Sequence, residues 1–121
     1  MKEENYRSLE NLFLALSDGT RLRMMMLMSG GEVSVGFLAD SLQTSQPKVS
    51  RHLAYLRNSG LVSTRRDGKW IYYAIDPPSD PVVADVLSAV VGSRRSTGTA
   101  ASDVDRTERS PAADAMPIYL L

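Results

Sequence analysis

The sequence predicts a mainly α domain of the α+β class, with about five helices and one β-hairpin, and three observations carry that prediction. Apolar residues recur at three- and four-residue spacings through successive segments up to Gly60. Two β-prone runs then flank Asp67-Gly68, a dipeptide suited to a two-residue type I′ hairpin turn. A last aliphatic stripe, "DPVVADVLSAVVGS", precedes a change of composition. A chain of 121 residues supports a single core. That core is assigned to residues 1–92, and residues 93–121 are expected to form a disordered tail.

In "NYRSLENLFLALS", Tyr6, Leu9, Leu12, Phe13 and Leu16 mark one face of a first helix. Asp18 stands where its carboxylate can cap a second, "GTRLRMMMLMS", which Gly30-Gly31 end because glycine tolerates left-handed backbone. Residues 24–28 of that helix include four methionines. Thioethers could hold a soft metal such as Cu(I), but methionine at helical spacing is ordinarily gap-filling core, and core is the better reading. Ser34 can cap a third short helix, "VGFLADSL", with Val35, Leu38 and Leu42 on one face.

After a "QTS" turn, the stretch "SQPKVSRHLAYLRNSG" supplies a fourth helix, with Ser45 as N-cap, Pro47 in the first turn and Gly60 as the stop. Two short helices joined by a tight turn read as helix-turn-helix. At about 100° per residue, Val49, Leu53 and Leu56 form the buried stripe, while Lys48, Arg51 and Tyr55 face outward. Gln46 and Ser50 lie toward the N-terminal end, where backbone N–H groups favour phosphate and base edges are reached. His52, the only histidine, falls beside the apolar stripe. Without a second histidine or a cysteine it reads as a packed or phosphate-touching flank rather than a ligand or catalyst.

The hairpin "LVSTRRDGKWIYYAI" places Arg65, Arg66 and Lys69 about its tip, and Trp70, Tyr72 and Tyr73 give its second strand aromatic material to brace it. A charged tip alone can serve solubility. Directly after a basic helix-turn-helix, it reads as a wing on the DNA backbone.

Charge supports that reading despite a formal net charge of zero. Residues 45–75 carry six cations against the single Asp67, residues 1–44 carry four cations and six anions, and residues 76–92 carry three anions and no cation. A basic face with acidic surroundings suits a protein that docks a polyanion in one orientation. Other classes are excluded more directly. No apolar run approaches the roughly 20 residues of a membrane span, and the polar "MKEENYRSLE" start predicts no secretory signal, so a cytoplasmic protein is expected. With no cysteine there is no disulfide, thiolate metal site or cysteine nucleophile. No G-x-S-x-G, phosphate-binding glycine loop or His–carboxylate pair points to an enzyme, and no cofactor is expected.

The last helix lines up Val82, Val83, Val86, Leu87, Val90 and Val91. One small domain cannot easily hide this stripe and that of the first helix, so a homodimer is expected, with Leu9, Leu12, Phe13, Val83, Val86, Leu87 and Val90 at its interface. Folding back onto the same domain is the alternative for the last helix. In the tail, the terminal "MPIYLL" is an apolar patch that could dock on the domain or a partner.

Over residues 5–92 the chain resembles the ArsR/SmtB-type winged helix-turn-helix repressors. The resemblance rests on "ALSDGTRLRMMMLM", "GEVSVGFLADSL" and "SQPKVSRHLAYLRNSGLVSTRRDGKWIYYAI", in order and with matching spacing. It implies a homodimer joined through first and last helices, with Gln46, Lys48, Ser50 and Arg51 approaching bases or nearby phosphates of double-stranded DNA. His52, Tyr55, Arg65, Arg66 and Lys69 complete the expected DNA surface. Arsenic- and metal-sensing relatives place Cys-x-Cys in the third helix, where this chain has Ser34 and Gly36, and others use Asp and His on the last helix. Asp76, Asp80 and Asp85 without imidazole make a poor transition-metal site, so no metal sensing is expected and no effector is identified. Gly19 stands where the family commonly has proline, which loosens the helix start. The expected function is a repressor on an inverted repeat; the competing reading is a winged-helix protein-interaction module.

Overall fold

The computed structural model describes residues 2–92. The expected tail, including its "MPIYLL" end, lies outside the described residues. The chain runs α1 (Glu3–Leu16), α2 (Gly19–Met28), α3 (Val35–Leu42), α4 (Gln46–Asn58), β1 (Val62–Asp67), β2 (Trp70–Ile75) and α5 (Pro81–Gly92). The two strands form one antiparallel hairpin, in register from Val62 opposite Ile75 to Asp67 opposite Trp70. No helix among the described residues is long and apolar enough to cross a membrane.

Local sequence sets where the helices begin. The Asp18 carboxylate accepts from the N–H groups of Thr20 and Arg21 at 2.8 and 3.1 Å, opening α2. The Ser34 hydroxyl accepts from Phe37 N–H at 3.1 Å, and Ser45 from Lys48 N–H at 3.4 Å. Each satisfies a donor that the first helical turn leaves without a partner. Asp80 caps α5 in the same way through Val82 N–H at 2.9 Å, and the Asn5 amide donates to its other oxygen, clipping α1 to α5.

The core forms where the helices meet. Met24, Met25, Leu27 and Met28 of α2 are buried, as are Phe37 and Leu38 of α3 and Val49, Leu53 and Leu56 of α4. The methionine cluster is therefore packing material, filling an irregular centre with flexible side chains. The face of α3 is wider than its spacing suggests. Phe37 and Ala39 are buried, whereas Val35 and Leu42 remain half-buried at the edge.

The expected dimer face needs correction at three positions. Leu12, Val83 and Leu87 are only 1%, 3% and 3% exposed within a single chain. α1 and α5 pack on each other and α5 also reaches α2, so these three side chains turn into the chain's own core and offer no surface to a partner. The hairpin turn also differs. Because Asp67 pairs with Trp70, its two loop residues are Gly68 and Lys69 rather than Asp67 and Gly68. Gly68 has φ +63° and Lys69 has no positive φ, which excludes type I′ and matches the glycine-first preference of type II′.

One pairing has no counterpart in the sequence reading. Val33, between α2 and α3, bridges Tyr73 through two backbone hydrogen bonds of 2.9 and 2.8 Å. This bridge ties the entry to the helix-turn-helix onto the hairpin.

Candidate nucleic-acid interface

α4 divides cleanly between core and solvent. Val49, Leu53 and Leu56 face inward, and Gln46, Lys48, Ser50, Arg51 and Tyr55 are all exposed. The turn before it is tight because Gln43 closes α3 in the left-handed region, φ 53°, with its N–H reaching back to the last carbonyls of α3. The exposed side chains of α4 combine amide, ammonium, hydroxyl and guanidinium groups, the set suited to phosphate oxygens and major-groove base edges. His52 is half-buried on the flank.

The hairpin contributes a second cationic site, though not every expected residue points to solvent in the same way. Arg66 and Lys69 are exposed at the tip, with the Lys69 ammonium 5.5 Å from the centre of the Trp70 ring. Arg65 is engaged elsewhere. Its Nε and Nη2 donate to the two oxygens of Glu32 at 2.8 and 3.0 Å, its Nη1 lies 4.0 Å from Asp67, and its face stacks 4.7 Å over Tyr72. The Glu32 hydrogen bonds raise the Arg65 pKa above its ordinary value. The charge of Arg65, expected on the DNA surface, is thus already answered by carboxylates of the same chain, although its side chain remains half exposed.

Arg21, which spacing alone did not single out, braces the other end of this surface. Its Nε donates to the Ala15 carbonyl at 2.7 Å and Nη2 to the Leu14 carbonyl at 3.2 Å, while its plane lies 4.1 Å over the Tyr55 ring. Tyr55 is thus partly covered from α2 and remains 42% exposed. Below it, the Asp18 carboxyl is held under its usual range. The Arg21 amide hydrogen bond is the largest cause, burial opposes it, and the Thr20 amide and the charges of His52 and Arg21 reinforce it. An arginine within the turn after an N-cap gives a weak sequence signal, since only the fold brings Tyr55 beneath it.

Comparison with known proteins places this architecture. The model of bacterial regulatory proteins of the arsR family matches residues 18–64, from the cap of α2 into β1. The arsenic resistance transcriptional regulator ArsR2 of Pseudomonas putida is 42% identical over 82 residues, which cover 67% of this chain and 71% of that protein. This chain belongs to the arsR family.

Other relatives and solved structures extend the likeness. The arsenical resistance operon repressor of Escherichia coli is 51% identical over 67 residues, covering 54% of this chain and 57% of its own length, so the chain spans little more than half of that protein. HlyU from Vibrio cholerae superimposes with a TM-score of 0.65 at 30% identity, covering 74% of this chain and 94% of HlyU. The homodimeric winged helix-turn-helix DNA-binding domain of Mb0332 from Mycobacterium bovis superimposes with a TM-score of 0.60 at 27% identity, covering 74% and 83%. Within this arsR-family chain, Ser34 serves as the α3 cap and is 8% exposed, so its hydroxyl is already committed to Phe37.

Proposed function

We propose that this arsR-family protein is a sequence-specific, homodimeric transcriptional repressor that binds an inverted-repeat operator in double-stranded DNA. Residues 1–92 are its working unit, acting in the cytoplasm by binding rather than by catalysis. The single observation that carries this reading is the division of α4, whose apolar stripe is buried while Gln46, Lys48, Ser50, Arg51 and Tyr55 are all exposed. Two such helices related by a two-fold axis would enter successive major grooves about 34 Å apart. Arg66 and Lys69 of the hairpin then hold the flanking backbone, and His52 supports the edge of α4.

Pairing is proposed through the stripes that remain outside the core. Tyr6 and Phe13 are 57% and 55% exposed on α1, with half-buried Leu9 in the same row. Val82 is 43% exposed on α5, with half-buried Val86 and Val90 beside it. Large apolar side chains this exposed on two adjacent helices favour a partner surface. The homodimeric Mb0332 domain supports pairing itself.

Repression is favoured because the Escherichia coli relative is a named operon repressor, although the Vibrio cholerae HlyU is named an activator. A dimer on an operator would occlude the promoter. The test is a gel shift with the protein's own upstream region across a salt series. If six to eight phosphates are neutralised per dimer, log affinity falls against log salt with a slope of roughly −5 to −7. A protein that ignores every duplex at low ionic strength overturns the DNA reading in favour of a protein-interaction module. A reporter that rises on expression of the protein overturns repression alone.

A further inference from the structure

We infer that Glu32 limits the grip of the wing on DNA: its carboxylate occupies the Arg65 guanidinium where a DNA phosphate would otherwise sit. The inference rests on the DNA-binding reading above. Phosphate and carboxylate compete for the same parallel N–H pair of an arginine, and Glu32 already takes both bonds, at 2.8 and 3.0 Å. The third nitrogen faces Asp67 at 4.0 Å, and one face of the plane lies on Tyr72. Arg65, Glu32 and Asp67 together therefore present a net negative charge to an approaching polyanion.

The backbone holds Glu32 in that place. Gly31, with φ +138°, turns the chain out of α2, and the two hydrogen bonds of the Val33–Tyr73 bridge fix the very next residue to the hairpin. Tyr73 adjoins Tyr72, the cross-strand partner of Arg65, so the bridge delivers the carboxylate to the guanidinium. Because that bridge already anchors the loop to the wing, the ion pair is not required to attach them. Both side chains remain substantially exposed, 50% for Arg65 and 40% for Glu32, so a phosphate can reach the pair.

The consequence concerns overall affinity. Binding to DNA of arbitrary sequence is almost wholly electrostatic, so withholding one cation per protomer weakens it. Base contacts from α4 are untouched by the same restraint. Glu32 thus lowers affinity for operator and arbitrary duplexes alike and makes binding less dependent on salt.

The test measures binding of the full-length wild type, Glu32→Gln, Arg65→Ala and the double variant to a mixed-sequence duplex long enough for two half-sites, over a salt series. Glu32→Gln is expected to bind about three- to tenfold more tightly, with a log–log salt slope steeper by about 0.9 per protomer. The double variant is expected to lose that gain, because no cation is left to release. Thermal unfolding of each variant confirms that all are folded. If wild type binds the duplex and Glu32→Gln binds equally or more weakly with an unchanged slope, this inference is overturned while the DNA-binding reading stands. A gain that survives in the double variant also overturns it, since repulsion by Glu32 alone would then explain the effect. Wild type that binds no duplex at low salt defeats the DNA reading itself.

Discussion

The guanidinium of Arg21 lies 4.1 Å over the ring of Tyr55, so a residue of α2 roofs the outer face of α4 while its nitrogens close the end of α1. Three helices meet at one side chain. The contact joins the helix proposed to pair subunits with the helix proposed to read DNA, and its two functions can be separated by substitution.

Arg21→Ala leaves the Ala15 carbonyl without its side-chain donor, while the Leu14 carbonyl keeps the Ser17 hydroxyl, and is expected to destabilise the fold by about 1–2 kcal/mol in chemical denaturation. Tyr55→Phe keeps the ring under Arg21 and should unfold like wild type, while operator affinity falls if the hydroxyl touches DNA. Equal losses of stability in both variants would contradict this division.

Arg51 and Arg66 are expected to fail in different ways. Arg51→Ala, on the outward row of α4, should relax sequence preference by about 1–3 kcal/mol at the base pair it contacts. Arg66→Ala, near the wing tip, should weaken matched and scrambled operators alike and flatten the salt slope by about 0.9 per protomer. Fluorescence anisotropy on both duplexes separates the two outcomes.

Phe13 and Leu12 are sequence neighbours with opposite destinations. Phe13→Glu places charge on a side chain that is 55% exposed, so the expected result is a folded monomer by analytical ultracentrifugation with poor operator binding. Leu12→Ala removes a side chain that is 1% exposed and should instead cost about 2–5 kcal/mol of folding stability. A dimer that survives Phe13→Glu rules out the proposed face.

Asp18 predicts a pH dependence with a definite sign. Its folded-state carboxyl is held below the usual value, chiefly by the Arg21 amide, so the unfolded chain binds the proton more readily. The stabilisation is present above the unfolded pKa and is lost as pH falls through the lower folded pKa. Asp18→Ala should therefore cost about 1 kcal/mol near pH 7, and the difference from wild type should shrink from about pH 4 downward in thermal melts. A difference that stays constant down to pH 3 would remove the charged cap from the account.

Much of the fold was legible because its signals are local. Asp18, Ser34 and Ser45 each cap the helix that follows, and each accepts the expected amide. The stripe Val49, Leu53 and Leu56 is buried as its spacing implies, and the outward row of α4 follows from the same periodicity. The hairpin was legible as two β-prone runs around a glycine. Its loop was not, since the register that pairs Asp67 with Trp70 depends on the whole ladder rather than on one dipeptide.

What the sequence by itself determined is the order of elements, their caps and the cationic row of α4, because these depend on residues within about one helical turn of each other. Only the tertiary structure decided which half of each apolar stripe is left over, turning Leu12, Val83 and Leu87 inward and leaving Tyr6, Phe13 and Val82 in solvent. It also decided the fate of individual charges. Arg65 meets Glu32 and Arg21 meets Tyr55 across separations of more than 30 residues, and packing rather than periodicity chooses such partners.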